Sequence, residues 1–187
     1  VVGQGGSIEI KGSDTMLQLS SNLVEEFSKS NPSAKISVTG GGSGTGIASL
    51  LNGEIGIANS SRPIEQKELN IAKEKGINPL EVIIARDTLS VIVHNDNLLK
   101  ELTVEQISKI FKGEIKNWSE LGGPDKEITL YGRQSTSGTY VFFQDEIVKG
   151  DYSAKMRNLE GSQAIVDAVK QDASEIGYVG AGYIANE

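Results

Sequence analysis

The chain reads as an α/β protein built on mainly parallel sheets with helices on both faces. Three observations carry that reading: short period-two apolar runs, a glycine-rich polar turn ending each of them, and a helical apolar pattern after each turn. Ser7-Ile8-Glu9-Ile10-Lys11 alternates and stops at Gly12. Lys35-Ile36-Ser37-Val38-Thr39 stops at Gly40-Gly41-Gly42, and Glu127-Ile128-Thr129-Leu130-Tyr131 stops at Gly132. These runs predict strands.

Helices follow. After Ser13-Asp14-Thr15 the apolar residues Met16, Leu19, Leu23, Val24 and Phe27 fall near helical spacing, and Asn31-Pro32 ends the helix near Ser30. After Ser43-Gly44-Thr45-Gly46 come Ile47, Leu50 and Leu51, closed by Asn52-Gly53. After Ser135 to Thr139 a helix is expected over 140–148, with Phe142 and Phe143 filling its face and Lys149-Gly150 ending it. The remaining expectations are strands at 54–58, 82–84, 90–93 and 175–179, and helices at 65–75, 104–111 and 162–171. Phe111, Trp118 and Tyr178 are assigned to packing.

Composition narrows the function. The 187 residues are 37% apolar and 23% charged, which suits a globular chain, and no apolar run approaches the ~20 residues of a membrane-spanning helix. The opening stretch, 1–7, has neither the charged nor the apolar region of an export signal, so any such signal is expected to have been removed. Without cysteine there is no disulfide, thiolate metal site or cysteine nucleophile. A single histidine, His94, excludes a multi-imidazole metal centre, and its place at a strand end suits a surface residue better than a base, so no metal or cofactor is expected. A net charge of −7 argues against nucleic acid. It does not argue against a small anion, because exposed charges are screened over ~8–10 Å whereas amides in a cleft act at hydrogen-bond range.

The chemistry lies in the turns. The first N–H groups of a helix have no intrahelical partner and carry partial positive charge, so a strand–glycine turn–helix start is an anion site at the carboxyl edge of a sheet. Serine and threonine are also ordinary helix caps, so one such turn says little. Three in one small chain say more. In Gly132-Arg133-Gln134-Ser135-Thr136-Ser137-Gly138-Thr139 a guanidinium precedes hydroxyls and amides at a helix start, a set suited to a tetrahedral oxyanion. The Gly40 to Gly46 run lacks the ending of a nucleotide P-loop, and no GxSxG frames Ser43 or Ser137.

At these turns the chain resembles the phosphate-binding proteins of high-affinity phosphate ABC importers, which are type II solute-binding proteins. The resemblance runs through Gly12 to Met16, Gly42 to Gly46, Ala58-Asn59-Ser60-Ser61-Arg62-Pro63, Leu102-Thr103 to Trp118, Arg133 to Thr139 and Ile176 to Val179. It implies a two-lobed periplasmic-binding-protein fold with lobes at 1–84 and 89–187, a hinge at 85–88, and phosphate held in the cleft without chemistry. The implied ligands are Thr15, Met16, Ser43, Ser61, Arg133, Ser137, Gly138 and Thr139, with Asp14, Gly44 and Arg62 as further candidates.

Two positions depart from the best-known members. Ser61 replaces an aspartate that takes a proton from phosphate, and Ser135 replaces an acid that steadies the arginine. The sequence also stops at Ala185-Asn186-Glu187, about where the family's chain returns to the first lobe. The expectation is therefore a first lobe lacking its last elements, completed by a removed segment or a second chain. The implied setting is extracytoplasmic, periplasmic or a cell-surface lipoprotein, with a membrane ABC permease as partner. Sulfate, molybdate or tungstate receptors are the nearest alternatives, followed by a phosphatase or hydrolase and by an adhesion or sensing module.

Overall fold

The computed structural model describes residues 7–184, so the readings at the first residues and at 185–187 lie outside the described residues. The chain divides into two compact units, one reaching to Arg86 and including Thr136–Gly138, the other taking Asp87–Ser135 and the chain from Thr139 on. The expected second lobe, 89–187, is thus interrupted at 136–138. Two hydrogen bonds account for this: the Thr136 carbonyl accepts from the Gly44 amide at 2.9 Å, and the Thr136 hydroxyl donates to the Gly41 carbonyl at 3.2 Å.

In the first unit β1 (Ile8–Gly12) lies between β2 (Ile36–Thr39) and β3 (Ile57–Asn59), all parallel. Parallel strands need crossovers, which α1 (Leu17–Ser30) and α2 (Ser43–Leu51) provide, and α3 (Gln66–Glu74) follows β3. A short 3-10 turn, Asp14–Met16, precedes α1. The core is small: Ile47, Leu51 and Ala72 are buried, with Ile64 and Ile77 packed on them. Helix α2 sits close enough to β1 that a Cβ on Gly46 would run into the Lys11 carbonyl. The apolar row of α1 forms as expected but stays half-exposed at Leu19, Leu23 and Phe27.

Two strand expectations need correction here. The run 82–84 has no regular structure, and Val82, Ile83 and Ile84 are exposed. β-branched residues favour a strand only when a neighbouring strand packs against them, and none among the described residues pairs with this run. The strand expected at 54–58 begins only at Ile57, because the chain is still leaving the Asn52-Gly53 turn, where Gly53 has φ 72°.

In the second unit β7 (Glu175–Gly180) lies between β4 (Leu89–Val93), antiparallel to it, and β5 (Thr129–Arg133), parallel to it. Strand β6 (Arg157–Leu159) continues the sheet parallel to β5. Helix α4 (Val104–Lys112) starts on a capping box, with Thr103 accepting from the Gln106 amide, and stops at left-handed Gly113. The expected helix over 140–148 is α5 (Gly138–Phe143), continued by a π-helical turn, Gln144–Val148. Helix α6 (Ser162–Val169) packs Ile165, Val166 and Val169 on Tyr131 and Val179.

The larger core gathers Ile110, Phe111, Trp118, Phe143 and Tyr178, all fully buried. Phe143 stacks on Tyr178 at 4.0 Å, and Phe111 meets Phe143 edge-on at 4.9 Å. Trp118 donates its indole N–H to the Ser174 carbonyl at 3.1 Å. Phe142, expected beside Phe143 on the packed face, is 45% exposed, because adjacent helical residues point about 100° apart.

One buried ion pair fastens the loop after β3. Arg62 donates to both Glu68 oxygens, at 2.9 and 2.8 Å, and Glu68 also accepts from the Glu65 amide at 2.8 Å. Burial pushes the Glu68 carboxyl up, but the hydrogen bonds from Arg62 and Glu65 and the Arg62 charge outweigh it, leaving it below the usual carboxylate range. A depressed carboxyl contributes stability above its ordinary pKa and loses it as pH falls through the folded value. Thermal melts should therefore show Glu68→Gln melting lower than the parent at neutral pH, with the gap closing on acidification. A constant gap would deny the ion pair that role. In the other unit, Phe143→Ala should cost ~3–5 kcal/mol in denaturant unfolding.

Candidate functional site

The first unit assembles helix beginnings at the carboxyl ends of its parallel strands. Gly12 ends β1 at φ 143°, where a Cβ would collide with the Asn59 carbonyl, and Ser13 then donates its amide to that carbonyl at 2.9 Å. The backbone next enters the 3-10 turn that holds Thr15 and Met16. Beside it, Gly41 and Gly42 take φ 111° and 91°, a region that only glycine enters readily, and α2 begins at Ser43.

Asp14 links the two beginnings, with its Oδ1 accepting from the Gly41 amide at 3.0 Å. That contact gives Asp14, a further ligand candidate, a bracing task in the turn before α2. Gly44, another such candidate, donates its amide to the Thr136 carbonyl.

Ser43 is fully buried, and its hydroxyl accepts from the Ser61 amide at 3.1 Å with the Ser61 hydroxyl 3.3 Å away. Gly138 belongs to the same unit, and a Cβ there would press into the hydroxyls of both Ser43 and Ser61. Ser43, Ser61 and Gly138 are therefore brought together, and glycine at 138 is required by closeness rather than by a positive φ. Ser137 beside it is buried. Arg62 is turned to Glu68 and to the Pro63 carbonyl at 2.9 Å, so the geometry gives it structural partners.

The second unit carries the arginine. Arg133 ends β5, is 1% exposed, and donates from Nη1 to the Ser162 hydroxyl at 2.8 Å and from Nε to the Gln134 side-chain oxygen at 3.2 Å. Its backbone amide donates to the Tyr178 hydroxyl at 3.3 Å. Tyr178 lies 3.2 Å from the Tyr152 hydroxyl, whose proton goes to the Tyr140 carbonyl at 2.9 Å, so Tyr178 donates to Tyr152. This directed chain ties the end of β5 to the first turn of α5, where Thr139 is buried. Burial is the largest influence holding both phenols protonated: it pushes Tyr178 up to about 12 and Tyr152 well above the ordinary phenol range.

Sequence reasoning missed Ser162, Gln134 and Tyr178 as partners of Arg133. Ser162 had a visible signal, since Gly161-Ser162 repeats the Gly-Ser helix beginning of Gly42-Ser43. The partnership of Arg62 with Glu68 had a fainter one, the glutamates three apart of a capping box. His94 accepts from the Asp96 amide at 3.1 Å, a local turn contact. Among the described residues no group of three or more His, Cys, Asp or Glu gathers to hold a metal ion.

Known proteins resemble the chain in sequence and in fold. The chain is 34% identical over 195 residues to the phosphate-binding protein PstS of Pseudomonas aeruginosa, covering 97% of the chain and 60% of that protein. The Bacillus subtilis PstS is also 34% identical, over 182 residues, with 97% and 59% covered. The chain thus spans about 60% of the length of these curated relatives. Among solved structures, a Clostridium perfringens protein provisionally assigned as a phosphate ABC transporter substrate-binding protein, with bound phosphate, superposes with a TM-score of 0.87. Its identity is 32%, over 95% of this chain and 72% of that one. An ABC-type phosphate transport receptor from Vibrio cholerae superposes at 0.68 with 25% identity, over 95% and 72%. The model of the PBP superfamily domain matches residues 3–187, and the chain belongs to that superfamily.

Proposed function

We propose that this chain captures inorganic phosphate outside the cytoplasm and delivers it to a membrane ABC permease, reversibly and without covalent chemistry. The observation that carries the reading is the convergence of Ser43, Ser61 and Gly138 on one glycine-opened helix beginning. Hydroxyls and helix-start amides replace the water shell of an anion by hydrogen bonding. The ligand set we assign is Thr15, Met16, Ser43, Ser61, Ser137 and Gly138 from the first unit, and Arg133 and Thr139 from the second. Lobes at 1–84 and 89–187, the second without 136–138, and a hinge at 85–88 complete the proposal, as does placement in a periplasm or on a lipid anchor.

A further polypeptide segment packing on the first unit is part of the same reading. Its support is the apolar surface left exposed at Leu19, Leu23 and Phe27 and again at Leu80, Val82, Ile83 and Ile84. Native mass spectrometry of material from the producing cell would test it: a companion fragment is expected, and the bare chain alone would contradict it.

The hydroxyl at Ser61 favours a second ligand within the same reading. A carboxylate at that place would repel a fully ionised anion, whereas a serine donates to one. Sulfate is therefore expected to compete with phosphate more than in relatives that carry the acid.

Calorimetric titration tests both points. Phosphate should bind the parent chain, with an affinity that shifts between mildly acid and mildly alkaline buffer because only phosphate changes protonation there, while any sulfate affinity stays level. Arg133→Met, which keeps volume and removes the guanidinium, should weaken phosphate about 100-fold, within the ~2–5 kcal/mol expected for truncating a buried hydrogen-bonded charge. Unchanged affinity would remove Arg133 from the ligand set.

A further inference from the structure

We infer that Ser162 is the positioning residue for Arg133 and thereby sets the affinity of the anion site; the inference rests on the reading that Arg133 is a ligand. Strand β6 pairs with β5 so that Leu159 lies opposite Arg133. The chain then turns through Gly161, at φ 79°, and starts α6 at Ser162. That turn delivers the hydroxyl to the guanidinium at 2.8 Å with both residues 1% exposed.

The hydroxyl is not engaged in capping the helix. Gly161 occupies the cap position and has no side chain to offer. A buried hydroxyl needs a partner, and here that partner is Arg133 Nη1.

Two consequences follow from a contact of this kind. The guanidinium is planar, so tying Nη1 to Ser162 and Nε to Gln134 fixes its plane and with it the direction of every remaining N–H. Ser162 and Gln134 are also neutral acceptors. They orient the guanidinium without adding a charge of their own.

Phosphate calorimetry on the 187-residue chain, combined with melting in the absence of phosphate, tests the inference. Ser162→Ala should weaken phosphate about tenfold, as loss of a hydrogen bond to a charged group does. In an Arg133→Met background the same change should have no effect. A merely structural Ser162 would lower the melting point and weaken binding equally in both backgrounds, which would overturn the inference. If Ser162→Ala does not fold, Ser162→Cys keeps the volume with a much poorer acceptor and should show the same pattern. Full affinity in whichever variant folds would also overturn the inference. Absence of phosphate binding by the parent chain would instead overturn the functional reading, and the role of Ser162 with it.

Discussion

A helix cannot satisfy its own first N–H groups, and this protein is organised around where those groups are left. Parallel strands send each connecting helix off from the same edge of a sheet, so helix beginnings collect there as a matter of topology. The sequence then opens them with glycine. Gly12, Gly41 and Gly42 take backbone angles closed to other residues, and Gly46 and Gly138 allow contacts that a methyl group would block. Around the resulting amides stand small hydroxyls, chiefly those of Ser43 and Ser61.

Charge is rationed to match. The chain carries a net charge of −7, yet its buried arginine is oriented by Ser162 and Gln134. The other well-buried arginine, Arg62, is tied to Glu68 and serves to hold a loop. A guanidinium matched by a carboxylate is structural, because its charge has been answered within the fold. Arg133 is oriented in part by neutral oxygens, a different use of the same side chain. Asp14 illustrates the complementary use of an acid: it accepts from the Gly41 amide, so it shapes the turn that presents Ser43.

The legibility of these features from sequence follows the range of the interaction that determines each one. Strands β1, β2 and β5 and the turns that end them were readable, because period-two alternation and glycine are local signals. The run 82–84 looked like a strand and is not one, since a strand is defined by its partner. Phe142 and Phe143 both fit the helical pattern yet point to different faces, a difference of rotation and not of element type. The segment Thr136–Gly138 joins the first unit through contacts with Gly41 and Gly44, some 90 residues away in sequence. No pattern within the segment announced that. Ser162 was the nearest miss: its Gly-Ser signature matched the other turns, but only the pairing of Leu159 with Arg133 reveals what the hydroxyl is aimed at.

Helix-beginning amides and their neighbouring hydroxyls are the anion donors proposed for this protein. Backbone amide resonances followed during addition of inorganic phosphate test that role most directly. Large shifts at Met16, Gly138 and Thr139, saturating together and reporting one binding constant, are the expected result. Shifts centred on other residues, or none while phosphate binds by calorimetry, would contradict it.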